Sequence, residues 1–169
     1  VPEEGCEWGC FDYSQQEPRL VVHYASLDQD TSVFAVKDAY VNSDADFHTI
    51  VAKMADIPRD QAKTINLGLF YGMGKAKLQA ELGVSKDKAE ELFAIYHQRV
   101  PFVKTLMKSV SNRAQQRGQI RTLLGRLCRF HLWEPNRFGI NKALPFEQAV
   151  QEHGQGNIRR AYTYKALNK

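Results

Sequence analysis

The sequence predicts a mainly helical α+β chain with only a few short strands. Three observations carry this reading. Between residues 58 and 117 apolar residues recur at helical spacing, as in Ala62, Ile65 and Leu69 and again in Ala89, Leu92, Phe93 and Tyr96. Helix punctuation falls at the edges of those stretches, with Pro58, Ser85 and Pro101 at starts and Gly83 and Gly118 at ends. Strand-like runs are confined to 7–12 and 119–130.

In chain order, EWGCFD (7–12) reads as a strand ending at Asp12. The next block, YSQQEPRLVVHYAS, reads as a turn into a helix. Pro18 falls in its first turn, where a missing N–H is tolerated, and Leu20, Val21 and Tyr24 supply an apolar face. Asp12 is thereby expected at a strand-to-helix junction, exposed yet firmly held. Residues 28–46 are polar and acidic around TSVFAV and carry no clear element. FHTIVAKMA (47–55) predicts a helix with His48 near its start, where a histidine by itself reads as a surface or cap residue.

PRDQAKTINLGLFYGMG (58–74) predicts about three helical turns that end at Gly72 and Gly74. KAKLQAEL is a short helix stopped by Gly83, and Ser85 caps the next, KDKAEELFAIYHQRV. Pro101 opens PFVKTLMKSVSNRAQQR, with Phe102, Leu106 and Val110 inward. QIRTLLGRLCRF reads as two strands about a turn at Gly125. A loop containing Pro135, Asn136 and Gly139 is expected to lead to two last helices, near 142–153 and 157–169.

At 169 residues the chain is long enough for one real core, and 43% hydrophobic with 25% charged residues is ordinary globular material. No apolar run reaches the length of a membrane span. The start at Val1 and the uncapped KALNK end lead us to expect a piece of a longer polypeptide. The net charge of +4 is unevenly spread. Residues 1–57 hold 3 basic and 11 acidic groups, and residues 58–130 hold 14 basic and 5 acidic ones. An acidic opening before a basic middle fits a metal-binding portion beside a polyanion-binding one. Cys6, Cys10 and Cys128 lack zinc-site spacing and are expected to be buried thiols in a reducing compartment.

The 58–74 helix is the chemical centre. Arg59, Lys63, Leu67 and Tyr71 recur every four residues and form a slowly winding stripe. Two cations one turn apart, followed by an aromatic at a glycine-rich end, suit a polyphosphate and a flat base. The guanidinium fork matches phosphate oxygens in pairs, and the ammonium is a compact point charge. Taken alone, the same spacing also describes a solvated helix face. What separates the two is the rest of the sequence.

Asp12-Tyr13-Ser14-Gln15-x-Glu17-x-Arg19 resembles the first catalytic motif of family A DNA polymerases. Phe47-His48-Thr49 resembles the short signature that follows it. Arg59-x-x-x-Lys63 with Tyr71-Gly72 is similar to the second motif, on the nucleotide-facing helix of the fingers. Thr122-Leu123-x-Gly125-Arg126 resembles a later hairpin signature, and Ala166-Leu167-Asn168 the start of the helix before the third motif. The agreement in order and spacing covers nearly the whole chain.

The resemblance implies part of a right-handed polymerase, truncated at both ends, with a palm portion at 1–45 and fingers at 46–169. It implies template-directed transfer of a deoxynucleotide from dNTP to a primer 3′ end with two Mg²⁺ ions. The second carboxylate ligand, in the third motif, is expected beyond Lys169, so the fragment alone is expected to be inactive. Primer–template DNA and dNTP are the implied partners, replisome accessory factors are possible ones, and a membrane is not. The implied location is the cytoplasm, that of the host if the source is viral.

Carried over by position, Asp12 bridges the metals and the Tyr13 backbone carbonyl completes one of them. Glu17 closes the space beside the sugar C2′. Arg59 and Lys63 hold the triphosphate, with Lys63 a candidate acid toward pyrophosphate, and Gln15 and His48 assist there. Tyr71 stacks near the nascent base pair. Arg19, Gly72, Arg126 and Asn168 lie toward primer or template. Gln16 and Pro18 depart from the apolar residues usual in the first motif. Leu67 stands where Phe or Tyr is typical and is similar to some phage members, so weaker acceptance of dideoxynucleotides is expected. A single-subunit RNA polymerase shares the Asp and the Arg/Lys/Tyr-Gly helix, but Glu17 argues against ribose. A non-catalytic helical module that binds nucleic acid through the basic middle is the other alternative, and it predicts DNA binding indifferent to Asp12.

Overall fold

A computed structural model of the chain describes residues 1–28, 30–43, 46–137, 139 and 141–168; the side chains of Met54, Ala55 and Asn168 are outside that description. Its helices are α1 (Gln16–Leu27), α2 (Phe34–Asn42), α3 (Phe47–Ala55), α4 (Arg59–Phe70), α5 (Lys75–Leu82), α6 (Lys86–Arg99), α7 (Pro101–Arg117) and α8 (Phe146–His153). Among the described residues there are also four short strands: β1 (Gln119–Arg121), β2 (Leu127–Arg129), β3 (Trp133–Pro135) and β4 (Ile158–Arg160). The α+β class expected from the sequence is the class observed.

Local chemistry explains most boundaries. Ser85 Oγ accepts from the Lys88 N–H at the start of α6. Pro101 opens α7, and Gly118 closes it in the left-handed conformation, φ 67°. Gly83 ends α5 in the same way. The unassigned acidic stretch folds as a 3₁₀ turn, Thr31–Val33, capped by the Asp30 carboxylate, and then as α2.

One continuous apolar core runs from Val21 and Val22 of α1 to Leu106 of α7. Phe47, fully buried, is its hub: it packs on the rings of Phe70, at 6.0 Å between centroids, and Phe102, at 6.4 Å. This core crosses the boundary expected near residue 45. A second, smaller cluster of Ala114, Phe130 and Ala166 seats the β1–β2 hairpin and the 3₁₀ segment Thr163–Asn168 against α7.

Four expectations are corrected. Residues 6–13 form no strand and are exposed. A strand needs a partner for its backbone groups, and the described strands pair only β1 with β2 and β3 with β4. The loop near Pro135 is a strand in part, because Trp133–Pro135 pairs antiparallel with Ile158–Arg160. The helix expected at 157–169 is strand β4 followed by a 3₁₀ segment. Arg160 fixes that strand: its guanidinium lies over the Trp133 ring at 4.6 Å and donates to the carbonyls of Gln115 and Phe130. Tyr162, at φ 63°, then breaks any helical continuation. Lys169 lies outside the described residues. Finally, Cys6 and Cys10 are exposed and Cys128 is half-buried, because the first two sit on the unpaired opening segment.

Candidate nucleotide-binding face

Three segments distant in sequence meet at the N-terminal ends of α1, α3 and α4. Gln15, at φ 55°, stands just before α1. Its side-chain Oε1 accepts from the Phe47 N–H at 2.7 Å and from the Tyr40 hydroxyl at 3.1 Å. The first-motif segment thereby satisfies one of the orphan donors that open α3. The Tyr40 ring in turn lies under the Arg19 guanidinium at 4.7 Å, while Arg19 Nε donates to the Ser14 carbonyl. Gln15 and Arg19 are thus each held by contacts within the fold.

Asp46 is a residue the sequence reading missed. Its carboxylate accepts from the His48 N–H, from Thr49 Oγ1 at 2.6 Å and from Arg59 Nε at 2.6 Å. It caps α3 and ties that cap to the first residue of α4. Burial alone pushes the Asp46 carboxyl up, but the bonds from Thr49 and Arg59 and the Arg59 charge outweigh it and hold it at about 2. The same bond and charge raise Arg59 above its ordinary value. One of the five guanidinium donors is thereby engaged. An Asp three residues before Thr49, ahead of an apolar run, was the signal available for this cap.

His48 corrects the expectation of a surface or cap residue: it is 7% exposed. Its Nδ1 lies 3.0 Å from the amide nitrogen of Asn66, and Asn66 Oδ1 accepts from the Tyr96 hydroxyl at 2.7 Å. Asn66 and Tyr96 are both fully buried. Burial pushes the His48 pKa down; the Asp46 charge opposes this, and the Arg59 and Lys63 charges add to it. Burial raises the Tyr96 phenol well above its ordinary value. Burial and the two nearby cations thus favour the neutral imidazole. Asn66 stands on the inward side of α4 beside Ile65, and an amide on an apolar stripe was its signature in the sequence.

Along α4, Ala62, Ile65 and Leu69 are buried as expected, Leu67 is half-buried, and Arg59 and Lys63 are exposed. Tyr71 follows the helix and is 59% exposed. Its hydroxyl donates a long hydrogen bond, 3.5 Å, to Glu17 Oε1 across 54 residues of sequence. Gly72, at φ 73°, lies against Tyr164: a Cβ there would be 3.5 Å from that ring. Asp12 and Tyr13 are exposed on the segment leading into Gln15. Three residues of chain keep Asp12 within about 11 Å of Gln15. Arg126 sits apart from this face, in the β1–β2 turn, where its N–H donates to Thr122 Oγ1. The Asn168 side chain lies outside the described residues.

The sequence profile of DNA polymerase family A matches residues 1–167. A DNA-directed DNA polymerase of Pseudomonas phage M6 is 37% identical over 172 residues, which cover 77% of this chain and 26% of that protein. DNA polymerase I of Bacillus caldotenax is 33% identical, over 75% of this chain and 15% of its own. Among solved structures, the POL domain of Pol1 from M. smegmatis, in complex with DNA primer-template and dNTP, superposes with a TM-score of 0.57. It shares 26% identity over 70% of this chain and 21% of its own. The chain thus spans about a quarter or less of the length of the relatives it matches.

Proposed function

The chain belongs to DNA polymerase family A, and from that membership we propose that it carries the nucleotide-binding face of a template-directed DNA polymerase. The observation that carries the reading is the 3.5 Å contact between Tyr71 and Glu17. It joins the first motif to the end of the cationic helix, two parts of the sequence that such chemistry needs side by side. Residues 1–45 are the palm portion and 46–169 the fingers, a division of task and not of packing, since the apolar core is shared.

In this reading Lys63 and Arg59 take the triphosphate oxygens. Asp46 holds Arg59 in place, and Lys63 stands exposed one turn further along α4. The neutral His48 ring, fixed by Asn66, lies beneath both and assists with Gln15 at the phosphates. Tyr71 covers the base, Glu17 borders the sugar C2′ and excludes ribose, and Leu67 meets the 3′ side. Lys63 also lends a proton to the departing pyrophosphate. Arg19, Gly72, Arg126 and Asn168 lie toward primer or template DNA.

For Mg²⁺, the Asp12 carboxylate and the Tyr13 carbonyl are the right kind of donor, hard oxygens on an exposed segment. Among the described residues no three His, Cys, Asp or Glu side chains gather as a metal cage. Mg²⁺ bound at Asp12 and Tyr13 would neutralise charge on the attacking and leaving oxygens. No described helix is long and apolar enough to cross a membrane. Exposed free thiols at Cys6 and Cys10 favour a reducing compartment such as the cytoplasm. Accessory factors of a replisome complete the proposed partners.

The test is equilibrium binding of a fluorescent dNTP with Mg²⁺ to the chain. Removing one charge-assisted contact costs about 1.5–3 kcal/mol, so Lys63→Ala is expected to weaken binding about tenfold or more. Glu17→Ala is expected to bring NTP affinity closer to that for dNTP. Equal affinity in wild type and Lys63→Ala would sink the reading.

A further inference from the structure

From Leu92 to Trp133 the chain carries eight lysines and arginines and no aspartate or glutamate. Arg113 is paired with Asp28. Arg117, Arg121, Arg126 and Arg129 take part in no ion pair among the described residues, and all four are exposed. They flank one element, the β1–β2 hairpin. Its turn is rigid: the Gly125 N–H donates to the Thr122 carbonyl, the Arg126 N–H to Thr122 Oγ1, and the Thr122 N–H to the Arg126 carbonyl. Gly125, at φ 86°, supplies the left-handed residue of a three-residue hairpin loop.

That turn holds Leu123 and Leu124 at its two corners, 59% and 95% exposed. Turn corners are usually polar. A single exposed leucine needs no explanation, but two at the rigid tip of an element shouldered by unpaired arginines do. Strand alternation separates the faces of the hairpin. Ile120 and Cys128 pack on the small core beside Phe130, so Arg121 and Arg129 stand on the opposite, exposed face.

We propose that this hairpin is a duplex-gripping finger, in which Arg121 and Arg129 hold phosphates while Leu123 and Leu124 press between base steps from the minor groove. The charge fits a polyanion, and apolar wedges between steps are an established way for proteins to unstack a duplex. The proposal rests on the reading that this chain handles primer–template DNA. The dNTP assay reports on α4 and not on the hairpin, so the two ideas fail separately.

The experiment uses the whole chain and a primer–template duplex carrying 2-aminopurine near its junction. Wild type is expected to raise 2-aminopurine fluorescence on binding, and Leu123→Ser/Leu124→Ser to abolish the rise. Leu124→Trp, which keeps an apolar wedge, is expected to restore unstacking. Arg121→Gln/Arg129→Gln is expected to lower the slope of log affinity against log salt by about 0.9 for each phosphate no longer neutralised. Circular dichroism of each variant checks that the fold is intact. Wild-type binding without a fluorescence rise, or an unchanged salt slope in the arginine pair, would overturn the proposal. So would leucine-dependent binding to phosphatidylserine vesicles in place of DNA.

Discussion

At the scale of single residues, Asn66 joins two roles. Its amide meets His48 and its carbonyl accepts from Tyr96, all at the base of the face formed by Arg59 and Lys63. Removing one partner from a buried pair leaves the other unsatisfied, which costs about 1–3 kcal/mol. Tyr96→Phe is therefore expected to lower the unfolding free energy by that amount, read from urea titrations, while the far-ultraviolet spectrum stays the same. Acid should act through two neighbours. The folded Asp46 carboxyl titrates at about 2, below its ordinary 3.8, so its stabilisation is present above about pH 4 and is lost as pH falls toward 2. His48 is held below its ordinary 6.5, so the unfolded chain takes up a proton first and stability starts to fall as pH drops through 6.5. Urea midpoints measured from pH 7 to pH 2 should decline in both windows. Asp46→Asn should flatten the lower window and, by removing a charge that opposes the lowering of the His48 pKa, deepen the upper one.

Among elements, α7 is the one on which the others lean. Its first turns bury Phe102 and Val103 in the main core, and its last turns receive the hairpin, β4 and the 3₁₀ segment. Gln115 stitches that end: its amide donates to the Arg160 carbonyl and to Thr163 Oγ1, and its carbonyl accepts from the Arg160 N–H. Gly118 has to be glycine for two reasons. Its φ is 67°, and a Cβ there would lie 2.7 Å from the Arg160 guanidinium carbon. Gly118→Ala is expected to cost at least about 1–2 kcal/mol from the backbone alone. Thermal unfolding would check this, and an unchanged or raised midpoint would contradict it. The limits of α4 to α7 were legible in the sequence because proline, serine and glycine act through the nearest few backbone groups. β3 and β4 were not, because their pairing joins residues some 25 apart in sequence.

At the scale of the whole molecule, the described residues form two apolar clusters of unequal size, with Val110 packed against both. The small one contains a single large side chain, Phe130. Phe130→Ala is expected to speed hydrogen exchange in β1, β2 and the 163–168 segment and leave protection of α3 and α4 unchanged. Uniform loss of protection would instead make the two clusters one cooperative unit. The same division separates two surfaces: α4, which carries Arg59 and Lys63, packs on the large core, and the basic hairpin stands on the small one.

The sequence by itself determined most of the helices, the caps at Ser85, Gly83 and Gly118, the outward stripe of Arg59, Lys63 and Tyr71, and, through its motifs, the family. These depend on spacing along one helix or on neighbours in the chain, and both can be read directly. Only the tertiary structure decided that Asp46 anchors Arg59, that Asn66 and Tyr96 hold His48, and that Glu17 reaches Tyr71. It also decided that the opening segment is left without a strand partner. Each of these depends on which distant groups are brought within hydrogen-bonding distance, about 3 Å, and no local pattern encodes that.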